Sequence, residues 1–411
     1  MRMVRWLLLS LAGAGVTLSG AEDPLENQLV HWAQRVDRDP VDWRASAILA
    51  GLYIKAGKER GDDACFEKAE AAAKQALERN PKAYDVLLGL AGALSAQHKF
   101  QAAAQAAERA IEVDPARPDA YGVRAASLME YGNLEGASAV YAQFKAKGAH
   151  PFEWATHQAN FAFAIGDSNK ALKFLDKALD VADDQALPKD AYVWCFVRQA
   201  ELLRMCGKYD EAQAELKRAL EIRPDEFAGL VQRARLNLAS GAAAQAVADA
   251  LAIVARMPHP ELLELLAEAH EASGQKEEAQ AAWARAKEAY AEAAASDNAH
   301  DYRNLAHYLA GPGGNPEQAV AFARKDLELR RDAYAFDALA WALHKAGKSA
   351  EGAEGLRPFL DRLPEDPELF ARAGQVLLAA GDREAGRKLL KRALDLHPRH
   401  PQRAELEALL K

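Results

Sequence analysis

Cysteine is scarce in this chain: 411 residues include three, Cys65, Cys195 and Cys206. An odd number closes no disulfide framework. Cys195 and Cys206 fall eleven residues apart on one predicted helix. That is about 16 Å at a rise of about 1.5 Å per residue, which no disulfide spans. All three sit among helix formers and read as small buried hydrophobes. Val, Ile and Thr are sparse too, and no segment alternates with a two-residue period, so sheet is excluded. Beyond the N-terminus no apolar run is long enough to cross a bilayer. Nor is there a basic stripe: 52 Lys and Arg are interspersed with 60 Asp and Glu, for a net charge of −8. Nucleic acid is therefore not an expected partner.

Catalytic signatures are missing as well. No Gly-rich loop ends in Lys-Ser or Lys-Thr, and neither His-Glu-x-x-His nor Gly-x-Ser-x-Gly occurs. Gly311 to Gly314 is glycine-rich, but Pro312 and Pro316 suit it to a turn between helices. Nothing in these patterns points to an enzyme, and no cofactor is implied.

The N-terminus carries a separate message. Arg2 and Arg5 precede an apolar stretch from Trp6 to Val16, and Ser19, Gly20 and Ala21 follow, then Glu22 and Asp23. A charged region, an apolar region and small residues in that order make a secretory signal peptide. Cleavage is expected after Ala21. The stretch is short for a membrane span, and no cysteine at the cleavage point offers a lipid attachment. The expected location is the bacterial periplasm or the medium, with no stable membrane span once residues 1–21 are removed.

From residue 22 to residue 411 the chain reads as one continuous array, and a 34-residue beat runs through most of it. A small residue is followed by glycine seven places on, a second small residue five later, a third seven later, and often a proline. Ala200–Gly207–Ala212–Ala219–Pro224 and, with Phe359 at the third of the small places, Ala340–Gly347–Gly352–Phe359–Pro364 are the clearest cases. Nine units hold this frame over residues 84–398, and a helix from Gln402 to Leu410 within the closing residues 401–411 ends the array. Residues 22–81 are atypical. Pro24 to Arg35 reads as an amphipathic helix with Leu25, Leu29 and Trp32 on one side. The following unit carries an insertion of two helical turns around Lys58 to Cys65, with Gly61–Asp62–Asp63 as its loop. The link from Asp183 to Asp190 is lengthened, and the second helix of the sixth regular unit runs on to about Ser296.

The spacing has a physical cause. Small residues at the eighth and twentieth places let the two helices of a pair approach, and the small twenty-seventh place receives the next unit. Glycine ends the first helix in a left-handed conformation, and proline follows the second. No unit buries its own apolar face, so stacking is obligatory.

These residues resemble the tetratricopeptide repeat over nearly the whole chain. Ala333 to Leu343 and the insertion around Gly61–Asp62 are also similar to a widespread family of exported bacterial tetratricopeptide-repeat proteins of unassigned role. The resemblance implies an all-α, right-handed superhelix of nine to ten helix pairs, with a concave groove that contacts other proteins. It implies no chemistry. The basic and asparagine clamp of members that bind chaperone tails is not found here in order.

In such a fold the first helix of each pair lines the groove. Its inward places would present Asn160, Trp194, Glu201, Arg204 and Arg235. An acidic stripe follows, Glu261, Glu264, Glu268 and Glu271, at spacings of three and four, suited either to solvent or to a basic segment of a partner. An aromatic and polar patch comes last: His300, Arg303, His307, Tyr334, Asp337, Trp341 and His344. Aromatic and arginine side chains in a concave surface anchor peptides; packing between units is the competing reading. Trp341 decides between them by whether it faces the groove or tucks between helices. A zinc site of His300, His307 and His344 with Asp337 is strained, since His300 and His307 stand about 10 Å apart along one helix; no metal is expected.

The leading expectation is a scaffold or adaptor holding a protein or peptide partner in the groove. The alternative is an accessory subunit of a cell-envelope or secretion assembly, making contact through its convex face or the inserted N-terminal unit. Exposed end helices also permit self-association. N-terminal sequencing of the protein from its native envelope fraction is expected to begin at Glu22; a chain still starting at Met1 would contradict export with cleavage.

Overall fold

The computed structural model describes residues 24–60, 62, 64–296 and 301–411. The signal peptide expected through Ala21, the loop residues Gly61 and Asp63, and His300 lie outside the described residues. Among the described residues the architecture is all-α, without a strand. Alanine loses no side-chain entropy in a helix, and the sparse β-branched residues remove the usual competitor.

The helices are α1 (Pro24–Arg38), α2 (Trp43–Arg60), α3 (Ala64–Arg79), α4 (Tyr84–Ala96), α5 (Phe100–Val113), α6 (Asp119–Tyr131), α7 (Leu134–Ala146) and α8 (Pro151–Ala164). They continue as α9 (Ser168–Asp184), α10 (Lys189–Met205), α11 (Tyr209–Ile222), α12 (Phe227–Ser240), α13 (Ala243–Arg256), α14 (Pro260–Ala272) and α15 (Lys276–Ser296). The last are α16 (Tyr302–Ala310), α17 (Pro316–Leu329), α18 (Ala333–Lys345), α19 (Ser349–Leu356), α20 (Pro367–Ala379), α21 (Arg383–Leu396) and α22 (Arg403–Leu409). In chain order they form ten helix–turn–helix units, α2/α3 to α20/α21, preceded by α1 and followed by α22. Two compact units emerge: one runs to His157 and takes in Leu329–Asp332, and the other comprises Gln158–Glu328 and Ala333–Lys411.

The first unit is built on Leu25, Leu29, Leu49, Ala73, Leu87 and Ala107. Its extra residues lengthen α2 as far as Arg60, and α3 starts at Ala64. Asp62 caps that start by accepting from Ala64 N at 3.0 Å. Phe66 then lies over Gly57, where a Cβ would come within 2.8 Å of the ring. At the turn between α4 and α5, histidine replaces the expected glycine: His98 holds φ at +58°. Its imidazole is buried and its Nδ1 accepts from Arg330 at 3.4 Å, while Arg331 N donates to Tyr131 O at 2.6 Å.

The second unit shows why the frame demands small residues. Ala200, Ala212, Ala219, Ala267, Ala279 and Ala286 are all buried. In two pairs even alanine is too large for one of the places. A Cβ on Gly352 of α19 would sit 2.8 Å from Ala340 O of α18. On Gly374 of α20 it would meet Leu390 Cδ2 at 2.6 Å and Gly386 O at 3.0 Å. The long α15 is anchored by Tyr290, stacked on Tyr308 at 4.2 Å. The glycine-rich stretch is a turn, with Tyr308 O accepting from Gly311 N and Gly313 N at 3.1 and 2.8 Å. The buried Leu406 ties down α22.

Gly352→Ala is expected to lower the urea unfolding free energy by about 1–3 kcal/mol through overpacking against Ala340. Gly355→Ala, one turn on, meets only an ordinary contact with Phe336 at 3.5 Å, and should gain about 0.5–1 kcal/mol of helix propensity. Equal effects would place the close approach elsewhere.

Candidate functional site

Every inward residue anticipated from the sequence and described falls in the second unit. Many are buried and held by one another. A buried charge is costly unless paired and hydrogen-bonded, and the pairing here runs from one first helix to the next. Asn160 on α8 accepts from Arg198 Nε on α10 at 3.2 Å. The same guanidinium pairs with Glu201 one turn on, and all three side chains are buried. Arg235 on α12 is buried with Glu261 of α14 at 3.9 Å, and Glu261 accepts from Asn304 of α16.

The aromatic and polar patch is also held by pairing, both within a unit and between units. Arg303 Nε donates to Asp326 of α17 at 2.7 Å, both fully shielded. Asp337 on α18 accepts twice from Arg372 of α20, at 2.8 and 2.6 Å, with His307 Nε2 at 3.9 Å. Burial pushes the Asp337 carboxyl above its ordinary value, and Arg372 pulls it only part of the way back. Tyr334 and Trp341 are 8% and 7% exposed. Trp341 stacks on His344, ring centroids 5.3 Å apart, with Lys345 Nζ 4.4 Å above its ring. Burial, with Lys345 beside it, holds the His344 imidazole below its ordinary value, and its Nδ1 hydrogen-bonds Ser349 Oγ at 3.0 Å.

The acidic stripe divides. Glu264 accepts from Tyr290 OH at 2.9 Å and Glu271 from Trp283 Nε1 at 2.8 Å. Glu268 and Glu271 face solvent, while Glu261 and Glu264 are half-buried. Trp194, Arg204, His307 and His344 are half-buried as well. His270, one place before the stripe, is buried against Gln275, 2.7 Å away. Among the described residues no group of three or more His, Cys, Asp or Glu is placed to hold a metal ion.

Sequence reasoning passed over Arg198, Gln232, Asn304 and Arg372. A signal was there to find. Each stands two places before the small residue of its unit: Ala200, Ala234, Ala306 and Gly374. That sixth place carries large polar groups in these four units, and three of them make the inter-helix bonds just described. Asp326 could not be found that way, because it comes from a second helix.

The tetratricopeptide-repeat family model matches residues 152–225, the stretch from α8 through α11. No curated protein matches the chain. Among solved structures, a tetratricopeptide repeat protein from Parabacteroides merdae is 21% identical, covering 58% of this chain and 92% of its own, with a TM-score of 0.42. Yeast Tom70 is 14% identical over 94% of this chain and 92% of its own, at 0.38. A human IFIT1 dimer with PPP-AAAA is 14% identical over 94% and 98%, at 0.45. Likeness at this level says nothing of what the chain binds.

Arg372→Met leaves Asp337 buried without its main partner, and should cost about 3–5 kcal/mol of unfolding free energy near neutral pH. A carboxyl whose folded pKa is raised gives stability that is complete below its unfolded pKa and is lost as pH climbs through the folded one. The variant is therefore expected to regain stability between about pH 7 and about pH 4. Adding Asp337→Asn should recover most of the loss and flatten that slope; a double variant as unstable as the single would dismiss the pair as the tie between α18 and α20.

Proposed function

We propose that this chain is an exported, non-catalytic scaffold that binds a protein or peptide partner, and that its first helical hairpin, α1 with α2, meets that partner. The observation that carries the surface is exposure. Val30, Val41 and Ile48 are 48%, 58% and 41% exposed, three of the five large apolar side chains standing in solvent among the described residues. All three belong to α1, α2 or the turn between them. Exposed apolar side chains gathered in one element mark interaction surfaces more often than scattered ones do. Tyr334 and Trp341, the sequence's preferred groove anchors, are by contrast buried. Export rests on the order of Arg2, Arg5, the apolar stretch and Ala21, and the contact could serve a cell-envelope or secretion assembly.

A second reading keeps the inner face of the second unit as the working surface. It is favoured by the exposure of Glu268 and Glu271, which would suit a basic segment, and by the partial exposure of Trp194 and Arg204. Photo-reactive residues at positions 48 and 268, introduced one at a time into the full-length gene expressed in the source bacterium, separate the two. The first reading expects a specific adduct from position 48, abolished by Val30→Asp in a variant that still folds. An adduct from position 268 alone, lost on Glu271→Lys, would move the contact to the inner face.

A further inference from the structure

In the second unit, chain segments far apart in sequence meet at the turns between paired helices. The turn after α8 meets Leu363: a Cβ on Gly166 would fall 2.8 Å from its carbonyl oxygen. The turn after α10 meets Leu396, whose oxygen would lie 2.5 Å from a Cβ on Gly207. The turn after α12 meets Arg399, its guanidinium against Gly241. Side chains fasten the middle contact. Tyr209 OH shares a hydrogen bond with His397 Nδ1 at 3.1 Å, and Cys206 Sγ donates to Glu365 at 3.5 Å.

The contact is also thin. It joins turns to segment ends, and no helix from α9 to α13 lies along any of α19 to α22. The helix pairs on either side are built on buried alanine and leucine. A joint without a shared apolar face opens at lower free energy than the elements it joins.

We propose that residues 362–399 form a latch that closes the second unit on the turns after α8, α10 and α12, and that it opens as one piece while the helix pairs stay folded. The latch stands whichever surface holds the partner.

Turn glycines supply the test, because their backbones match while their surroundings differ. Gly166 has φ +83° and a neighbour in the latch; Gly274 and Gly381 have φ +76° and +92° and open space around a Cβ. Alanine at any of them carries the left-handed strain, but only Gly166→Ala presses on the latch. Hydrogen–deuterium exchange on the full chain reads the outcome. In the wild type, amides of 362–366, 206–209 and 396–403 are expected to exchange at one common opening rate, faster than those within α12 and α14. Gly166→Ala should speed all three segments by about tenfold, and Gly274→Ala should leave them unchanged. Tyr209→Phe, which removes the hydroxyl without touching the backbone, should speed 396–403 even if Gly166→Ala fails to fold. Acceleration confined to residues around 166, equal acceleration in Gly274→Ala, or no change in Tyr209→Phe would each overturn the latch.

Discussion

Everything in this fold depends on how closely two helix backbones approach within a pair. Where Gly352 faces Ala340, and Gly374 faces Gly386, the axes are near enough that a methyl group on the glycine has no room. Elsewhere alanine fills the gap, as at Ala200 with Ala212 or Ala267 with Ala279. Helices this close bury little apolar surface per residue, because alanine offers little. The larger apolar groups must then come from clusters that join one pair to another, in which Leu216, Leu305 and Leu343 are buried. That is the physical reason a pair cannot stand alone, and why the array must continue until a short helix such as α22 covers its end.

The same closeness decides the fate of the polar side chains. A first helix packed tightly against its partner has few directions left for a long side chain. Arg198, Arg235 and Arg303 are enclosed, and each enclosed guanidinium has been given a carboxylate: Glu201, Glu261 and Asp326. Such pairs add little net stability over an apolar replacement, but their breakage is expensive. They therefore discriminate between correct and shifted stacking of the units. A surface that looks, residue by residue, like a charged groove is in good part the polar interior of the second unit.

This explains which features were legible in the sequence. The helices, the small places and the turn at Gly311 to Pro316 follow from local rules, and the structure carries them where the frame puts them. Two things were out of reach. The first is direction: Trp341 sits at an inward place, yet it lies against His344 with Lys345 above it, and no one-dimensional pattern states how deep a ring will sink. The second is partnership between units. Asp337 has its arginine 35 residues on, and Asp326 reaches back to Arg303 from the other helix of its pair. The recurrence of Arg198, Gln232, Asn304 and Arg372 at one place in the frame was visible, but it becomes meaningful only when charge is counted per place rather than per face.

Glycine makes the limit sharpest. Gly207 and Gly274 occupy the same place in their units and hold φ at +75° and +76°. From the sequence they are one observation, a helix stop in left-handed conformation. In the fold they are two. Around Gly274 a side chain would find open space, whereas Gly207 has the oxygen of Leu396 where its Cβ would be. Glycine thus answers a local requirement of the backbone at both of these turns and a tertiary requirement at only one. His98 shows the two can be separated, since it meets the local requirement at φ +58° with a side chain that is itself used, buried against Phe100 and bonded to Arg330. At that turn the side chain itself meets the distant segment. Where a turn carries glycine, the space beside it is free for another part of the chain to enter, and in the second unit three such turns have been entered.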